Sequence, residues 1–432
     1  MELIKTIMQL LACIIVSMVG KVTCDNITTM GTGKTMGQHL STAISLLEAT
    51  SQQQDDSMIN ATKVNLNVTA SNENKIEEID WRDMPDTQTA KLVWKIGSPT
   101  IICIGLIGNI LTITVLCATR MRKTTSSLYL TILAISDCMV LICGLGRRWV
   151  SYQWGKDIRN QHELACKIHM FLTYTFIDFS AWLLAAVTVD RVITVYMPLH
   201  ARRISTKKNA AIAIIVTFVV LMGINAQILF THGNRTIPWN GGFYTYPCTY
   251  NDGNVFFHNI VWKWIDGAVS SYLPFFILII SNIVIAIQLL RSAEMRKKTM
   301  NVSKQSGDST ASLSIMLITI SMVFLVLTGP VVVYLITWDQ WHEDKSHANI
   351  SKLRLVWACL NMLLYSNYCV NFFMYCLSGK RFRSEMMILF RCTSRKRNGH
   401  LRNSTMATGS TMASVNNVSM TTASEASLNN KL

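Results

Sequence analysis

The chain has 432 residues, of which 50% are hydrophobic and only 15% are charged, and its formal net charge is +15. Soluble domains carry about 25% charged residues, so this composition excludes an ordinary soluble protein and assigns the apolar excess to membrane spans. A net positive charge of this size is typical of proteins that bind nucleic acid. Here, however, the Lys and Arg residues lie in loops between apolar segments, which argues against that partner.

The first residues have the features of a signal peptide. Lys5 precedes the apolar stretch Ile7–Val19, which is too short to cross a bilayer. We expect cleavage near Cys24, which removes residues 1–24, and an uncleaved anchor is the alternative.

Residues 25–93 are predicted to form a disordered, glycosylated extracellular arm, because polar residues dominate and aromatic residues are almost absent. Between residues 25 and 90, ten acids and four bases give a net charge of −6. Such an arm would attract cationic ligands, although a solubilising leader explains it equally well.

Seven apolar segments follow, each near the ~20 residues that a helix needs to cross the hydrocarbon core. Backbone groups in lipid must be satisfied within the protein, so we expect helices. The predicted fold is an all-α membrane protein, a seven-transmembrane helix bundle over residues 94–379. The segments are Ile96–Thr119, Thr124–Gly146, Ile168–Val189, Asn209–Thr231, Gly267–Leu290, Ser309–Trp338 and Leu355–Gly379.

Charge in the loops predicts the orientation. With the N-terminus outside, the inner loops and the start of the tail hold 19 Lys and Arg residues, and the outer loops hold ten. This excess predicts a multi-pass protein of the plasma membrane with an extracellular N-terminus. Anionic inner-leaflet lipid is an expected partner, although topology alone also explains the charge.

Glycosylation sequons agree with this orientation, because five of them lie on the predicted outer side. These five are Asn26, Asn60, Asn67, Asn234 and Asn349. Asn301 falls on the inner side, and we expect it to be unglycosylated.

The cysteines allow one external disulfide. Only Cys24, Cys166 and Cys248 would meet the oxidising exterior, and Cys24 leaves with the signal peptide if cleavage occurs there. We therefore expect a Cys166–Cys248 disulfide that ties the second outer loop to the third helix.

Several polar residues and prolines stand at particular places within the spans. They are Asn109 in the first span, Asp137 in the second, Asp190-Arg191-Val192 ending the third, Pro274 in the fifth, Phe324 and Pro330 in the sixth, and Asn371 and Tyr375 in the seventh. In this order they resemble the rhodopsin-like (class A) G-protein-coupled receptors, over roughly Trp94–Cys392. Leu273-Pro274-Phe275 and Asn371-Phe372 look most like invertebrate neuropeptide receptors of the FMRFamide type.

The resemblance implies a polar core around Asp137, a costly carboxylate at mid-membrane. By family register this core includes Asn109, Ser180, Asn367 and Asn371, and in relatives it holds a sodium ion, which suits hard oxygen ligands. The alternative is a protonated Asp137 that only packs helices.

The resemblance also implies a switch at the inner end of the bundle. Asp190 would hold Arg191 at rest, and Arg191 would then reach a heterotrimeric G-protein. Phe324, Pro330, Asn371 and Tyr375 would carry the accompanying movement of the sixth and seventh helices. A simple interfacial arginine leaves the adjacent Asp190 unexplained.

Three departures from the family pattern change the expected mechanism. Thr328 replaces the usual tryptophan before Pro330, Phe372 replaces the usual proline after Asn371, and Thr310 stands where the family usually has an acid at the inner end of the sixth helix. A weaker kink in the seventh helix and no lock between the third and sixth helices are therefore expected.

After the last span, residues 380–392 are predicted to form an amphipathic helix in the membrane interface. Cys392 at its end is either palmitoylated or a free thiol. Residues 393–432 form a Ser/Thr-rich cytoplasmic tail, whose phosphorylation by a receptor kinase would recruit arrestin in the family. The alternative is a low-complexity disordered tail, which is compatible with both phosphorylation and arrestin recruitment.

The ligand is expected to be an extracellular peptide. The last span has no lysine for retinal, and Thr173 stands where amine receptors carry an aspartate. Outer aromatic residues beside Asp157, Glu163, Asp252 and Asp266 suit an amidated basic or aromatic peptide. A chemosensory receptor is the main alternative. A transporter or channel fits less well, and no residue pattern indicates an enzyme or a cofactor beyond the sodium ion.

Overall fold

The computed structural model describes residues 81–239, 242–254, 256–298 and 304–390. Within these ranges the chain is helical, apart from one β-hairpin and the connections between helices. Several predictions lie outside them: the signal peptide, most of the arm, the tail, the sequons at Asn26, Asn60, Asn67 and Asn301, and Cys392.

Seven long helices, α1 to α7, run through the described part. Six of them, α1 to α6, are long and apolar enough to cross a membrane. α7 is of similar length but buries Asn361, Asn367 and Asn371 on its inward face. A shorter helix, α8, follows over residues 380–390. The long helices are α1 Pro85–Ala118, α2 Thr125–Trp154, α3 Glu163–Tyr196, α4 Lys207–Thr231, α5 Ile260–Met295, α6 Lys304–Ile336 and α7 His347–Ser378.

The first helix begins earlier than the sequence suggested. It starts at Pro85, so the predicted arm extends too far by the nine residues 85–93. Proline is favoured in the first turn because its missing N–H has no intrahelical partner there. The early turns also pack on α7: the Thr87 amide and hydroxyl donate to Ser351 Oγ at 3.0 and 2.9 Å. The polar composition of residues 85–93 predicts that they belong to the arm, and nothing in the sequence indicates this contact with α7.

Trp81, four residues before α1, also packs on α7. The Arg354 guanidinium of α7 lies 4.0 Å from the centre of the Trp81 ring, a cation–π contact. Trp94 of α1 stacks on Tyr152 of α2 with their ring centres 5.4 Å apart. The outer ends of α1, α2 and α7 are thereby joined.

Glycine permits a close approach of α2 to α7 in this part of the bundle. Gly144 lies in a π-helical stretch of α2, Leu141–Gly146. A Cβ atom on Gly144 would stand 2.8 Å from the Tyr365 hydroxyl oxygen of α7 and 3.1 Å from its ring. Small residues allow helix backbones to approach each other where no water is available to fill a gap.

The largest apolar core lies around α3, in the inner half of the bundle. It joins buried side chains of α2, α3, α5 and α6 with Tyr375 of α7 and Phe382 of α8. Leu183, Val187, Leu278 and Leu317 are at most 1% exposed. The inner ends of α6 and α7 are therefore coupled through side-chain packing to the centre of α3.

The outer loop between α4 and α5 is an antiparallel hairpin, β1 His232–Trp239 and β2 Gly242–Tyr250. Cys248 on β2 is joined to Cys166 in the first turn of α3, which confirms the predicted disulfide. Both cysteines are buried beside Met170 and Ile228. The hairpin is thus held over the outer end of α3.

Substituting Gly144 tests the approach of α2 to α7. We expect Gly144→Ala to lower stability by about 1–3 kcal/mol, because the rigid Tyr365 ring cannot give way without moving α7. Gly223→Ala is the matched control: it introduces the same methyl group in α4, where no atom lies within 4 Å. Melting temperatures of the two purified variants should differ clearly, and equal values would contradict this packing.

Candidate functional site

The polar core predicted around Asp137 is partly assembled. Asp137 of α2 is 1% exposed, and the Asn371 amide of α7 donates to its Oδ2 at 2.7 Å. The Ser180 hydroxyl of α3 donates to Ser136 Oγ at 2.8 Å, next to Asp137 in the chain. Hydroxyl, amide and carboxylate oxygens from three helices therefore meet in one buried cluster.

The other two predicted members have different partners. The Asn109 amide of α1 donates to the backbone oxygen of Tyr368 at 2.9 Å, so it ties α1 to α7. Asn367 is buried at 7% exposure, and its side chain makes no hydrogen bond to a described residue. Ser136 was not predicted as a member, because a serine in mid-helix gives no signal of its own in sequence.

At the inner end of α3, Asp190 and Arg191 do not form the predicted ion pair. The Arg191 guanidinium donates to Ser126 Oγ at the start of α2, and Asp190 Oδ1 accepts from the Ser205 hydroxyl at 2.6 Å. Consecutive helical residues point about 100° apart, so the two side chains reach different neighbours. The expected local salt bridge is therefore corrected to two hydrogen bonds that lead away from α3.

These two serines are functional neighbours that the sequence did not reveal. Ser126 lies in the first turn of α2, and Ser205 ends the short helix Pro198–Ile204 that follows α3. Arg191 and Asp190 are each 7% exposed, and Arg191 Nε and Asp190 Oδ2 have no partner in the described structure. Arg191 thus donates one hydrogen bond to a neutral hydroxyl and interacts electrostatically with Asp190, but its guanidinium is incompletely satisfied.

The residues predicted to carry helix movement lie in the core. Phe324 of α6 packs edge-on against Phe275 of α5, with ring centres 5.5 Å apart. Pro330 stands inside α6, and two residues before it Thr328 is buried with no partner for its hydroxyl among the described residues. Tyr375 is 1% exposed and packs on Phe382 of α8.

Asp157 was expected to face the ligand, but its side chain is not available to one. Its side chain is 1% exposed, and its Oδ2 pairs with Arg147 at 2.6 Å and with Arg159 at 2.7 Å. The Arg159 guanidinium also contacts the sulfur of Met170 at 3.5 Å. These contacts hold the loop after α2 onto α3. Glu163 instead pairs with Lys167 at 2.6 Å on the surface.

A buried histidine pair joins the hairpin to α5. The rings of His232 and His258 are 4.8 Å apart, and His258 stacks on Tyr250 of β2. Both imidazoles lie within 3.2 Å of the Thr231 hydroxyl oxygen. Burial first, then His258 and Arg159, lowers the pKa of His232 to about 3, and burial lowers the pKa of His258 to about 4. Both rings are therefore neutral in this packing.

The outer ends of α6 and α7 share an aromatic cluster. Tyr334 contacts Trp338 and Trp357 with ring centres 5.5 and 5.7 Å away. Trp338 stacks on His342 with centres 3.7 Å apart. These side chains join the ends of α6 and α7 in one aromatic cluster.

The two predicted outer-loop glycosylation sites differ in geometry. Asn234 is exposed on β1. Asn349 lies in the first turn of α7, and its Nδ2 donates to the backbone oxygens of Trp341 at 3.0 Å and Asp344 at 2.7 Å. Ser351, the third residue of this sequon, is 1% exposed. A glycan on Asn349 would replace one of the two Nδ2 hydrogens and so remove one of these hydrogen bonds, and the geometry therefore argues against that acceptor.

Comparison with known proteins agrees with this arrangement. The family model described as 7 transmembrane receptor (rhodopsin family) matches residues 108–375, more than half of the chain. A probable G-protein coupled receptor of Caenorhabditis elegans is 25% identical over 303 residues, 68% of each chain.

Two vertebrate receptors are also similar. Growth hormone secretagogue receptor type 1 of Homo sapiens is 29% identical over 144 residues, 32% of this chain and 38% of that receptor. Cysteinyl leukotriene receptor 1 of Sus scrofa is 25% identical over 287 residues, 66% of this chain and 80% of that receptor.

The histidine pair predicts a loss of stability in acid. Each imidazole has a folded pKa below the unfolded value of about 6.5, so its contribution is complete above that pH and declines as the pH falls toward 4 and then 3. At about pH 5 the linkage amounts to about 2 kcal/mol per histidine.

The measurement is the melting temperature of purified protein at about pH 7.5 and pH 5, conditions on either side of the unfolded histidine pKa. We expect a marked drop that is reduced in the His232→Phe/His258→Phe double variant and unchanged in His200→Gln, an exposed inner-side control. An equal drop in the double variant would show that other groups cause it.

Proposed function

The chain belongs to the rhodopsin family of seven-transmembrane receptors, and we propose that it is a plasma-membrane receptor that binds an extracellular peptide, with a neuropeptide as the expected class. As a ligand-binding G-protein-coupled receptor it lies in the membrane and passes a signal inward. The observation that carries the proposal is Arg191, a buried and incompletely satisfied cation at the inner end of α3, within the matched family region.

Topology supports this assignment. We take α7 as the seventh span, because its 32 residues exceed the ~20 needed to cross the bilayer, and α8 as the interfacial helix. On α8, Phe382 is buried against Tyr375, whereas Met387, Ile388 and Phe390 are more than half exposed. An exposed apolar face beside Lys380 and Arg381 suits the boundary between lipid and cytosol. The N-terminus is then extracellular.

Activation is proposed to be a population shift between two packings. Agonist binding favours a state in which the inner half of α6 moves outward below Pro330, where the helix lacks a backbone donor. Arg191 leaves Ser126 and, with the second and third inner loops, engages a heterotrimeric G-protein. The neutral Ser126 contact makes this release less costly than breaking a buried ion pair.

A peptide ligand is supported by the outer surface. The hairpin is held by a disulfide over the bundle, and aromatic side chains of α6 and α7 border the same side. Aromatic residues give large contact area and bind cationic groups. A chemosensory receptor of the same fold is the alternative.

A sodium ion is proposed at the polar core. Asp137, Ser180 and Asn371, with Asn109 and Asn367 nearby in register, offer the hard oxygen atoms that such a cation prefers. The ion would supply positive charge beside Asp137 and stabilise the resting packing. We expect sodium chloride, compared with choline chloride, to weaken agonist binding in the wild type, and the Asp137→Asn variant to lose that difference.

The remaining partners rest on residues outside the described ranges. We propose that the tail, residues 393–432, is phosphorylated by a receptor kinase and recruits arrestin, and that Cys392 is a lipid-attachment site near anionic inner-leaflet lipid.

The function is tested by expressing the receptor in cells and screening a neuropeptide library with calcium and cyclic-AMP reporters. With an active peptide in hand, Arg191→Ala should abolish signalling while surface expression stays near the wild-type value. Ser126→Ala should raise basal signalling, because it removes the contact that holds Arg191.

Arg122→Ala is the matched control, since Arg122 is an exposed arginine on the same side of the bundle. It should keep both surface expression and most of the signal. Intact coupling in Arg191→Ala at normal expression would remove Arg191 from the mechanism.

A further inference from the structure

A row of side chains on α3 leads from the disulfide to the middle of the bundle. Cys166, Met170, Tyr174, Asp178 and Trp182 recur at every fourth residue, and the row turns about 40° around the helix at each step. Asp178 is twelve residues from Cys166, about 18 Å along the axis at ~1.5 Å per residue. Further along the row, Asp178 contacts α4 and Trp182 contacts α5.

The two ends of this row have different neighbours. At its outer end, Tyr174 packs on the buried cluster of Cys166, Met170, Ile228 and Cys248. At its inner end, the Trp182 indole donates to the backbone oxygen of Val269 in α5 at 2.9 Å. The region between them is bordered by three helices.

Asp178 and Asn225 present unsatisfied acceptors in this region. The Asn225 amide of α4 donates to Asp178 Oδ2 at 2.8 Å. Asp178 is 2% exposed and Asn225 is fully buried. Nevertheless, Asp178 Oδ1 and Asn225 Oδ1 both lack a hydrogen-bond partner in the described structure. Buried polar atoms are rarely left in this state, and each one costs free energy unless a donor is supplied.

A second carboxylate belongs to the same region. Asp266 of α5 is half-buried and lies close enough to Asp178 and Tyr174 to interact with both electrostatically. No ion pair joins Asp266 or Asp178 to a cation within the described residues. Arg148 and Arg159 also interact electrostatically with Tyr174, but neither forms an ion pair with Asp178 or Asp266 in the described structure.

We propose that Asp178, Asn225 and Asp266 form a subsite for the cationic nitrogen group of a ligand, a guanidinium, amidinium or ammonium carried on an aromatic or apolar body. This inference rests on the proposed function, because it assigns a part of the ligand to a part of the receptor. The cation would donate to Asp178 Oδ1 and Asn225 Oδ1 and lie between the two carboxylates. Tyr174 would pack against the attached body of the ligand.

The competing explanation is structural. A protonated Asp178 would donate to Asn225 and hold α3 to α4 without any ligand. Both explanations predict that Asp178 contributes to stability, so loss of stability alone does not separate them. They differ in whether the region discriminates a cation from its neutral isostere.

The probe is benzamidine, an aromatic amidinium, compared with benzamide, its neutral isostere. Purified wild-type receptor is heated with increasing concentrations of each. We expect benzamidine to raise the melting temperature and benzamide to leave it unchanged. In Asp178→Asn and Asp266→Asn, the benzamidine concentration that gives half the maximal rise should increase about tenfold or more, since a charge-assisted hydrogen bond is lost.

Glu343→Gln is the matched control, because it removes an exposed outer carboxylate that lies outside this region. Its benzamidine response should equal that of the wild type. An equal response to benzamidine and benzamide, or an unchanged benzamidine response in both aspartate variants, would overturn the subsite. If Asp178→Asn does not fold, comparing benzamidine with benzamide on the wild type and on Asp266→Asn still distinguishes the subsite from the structural explanation.

The assay measures binding in the absence of a G-protein. Failure of the subsite would therefore leave the receptor assignment intact, and failure of G-protein coupling would leave the subsite measurement valid.

Discussion

Every buried polar group in this bundle must find its partner within the protein, because the hydrocarbon around it offers none. That constraint explains which helices contact each other through hydrogen bonds. Asn371 reaches Asp137 to join α7 with α2, and Asn109 reaches the Tyr368 backbone to join α1 with α7. The same requirement makes the polar core a coupling point, because any movement of α7 must exchange these bonds for others of similar strength.

The two ends of the bundle satisfy this requirement differently. Outside, a disulfide, a carboxylate shared by two arginines and an edge-to-face histidine pair hold the hairpin and loops in place. Inside, Arg191 is held by one serine hydroxyl and Asp190 by another. A receptor needs this asymmetry, since the ligand-binding side must be preorganised while the inner side must rearrange.

The positions where the requirement is not met are informative as well. Asp178 with Asn225, and Arg191 with Asp190, carry unsatisfied buried atoms, as do Thr328 and Asn282 in α6 and α5. In a two-state protein such groups raise the free energy of one packing, and a ligand or partner that satisfies them stabilises the packing in which it binds. The subsite at Asp178 would act in this way.

The sequence by itself determined the helical spans of α1 to α6, the inner excess of basic residues and the Cys166–Cys248 disulfide. Hydrophobicity and charge are local properties of a segment, and only one cysteine pair is left for the exterior if Cys24 leaves with the predicted signal peptide. The tertiary structure alone decided that α1 begins at Pro85, that Asp157 is covered by Arg147 and Arg159, and that neighbouring Asp190 and Arg191 bond to different serines. These outcomes depend on contacts between residues far apart in the chain and on the direction in which each side chain leaves its helix, neither of which a single sequence records.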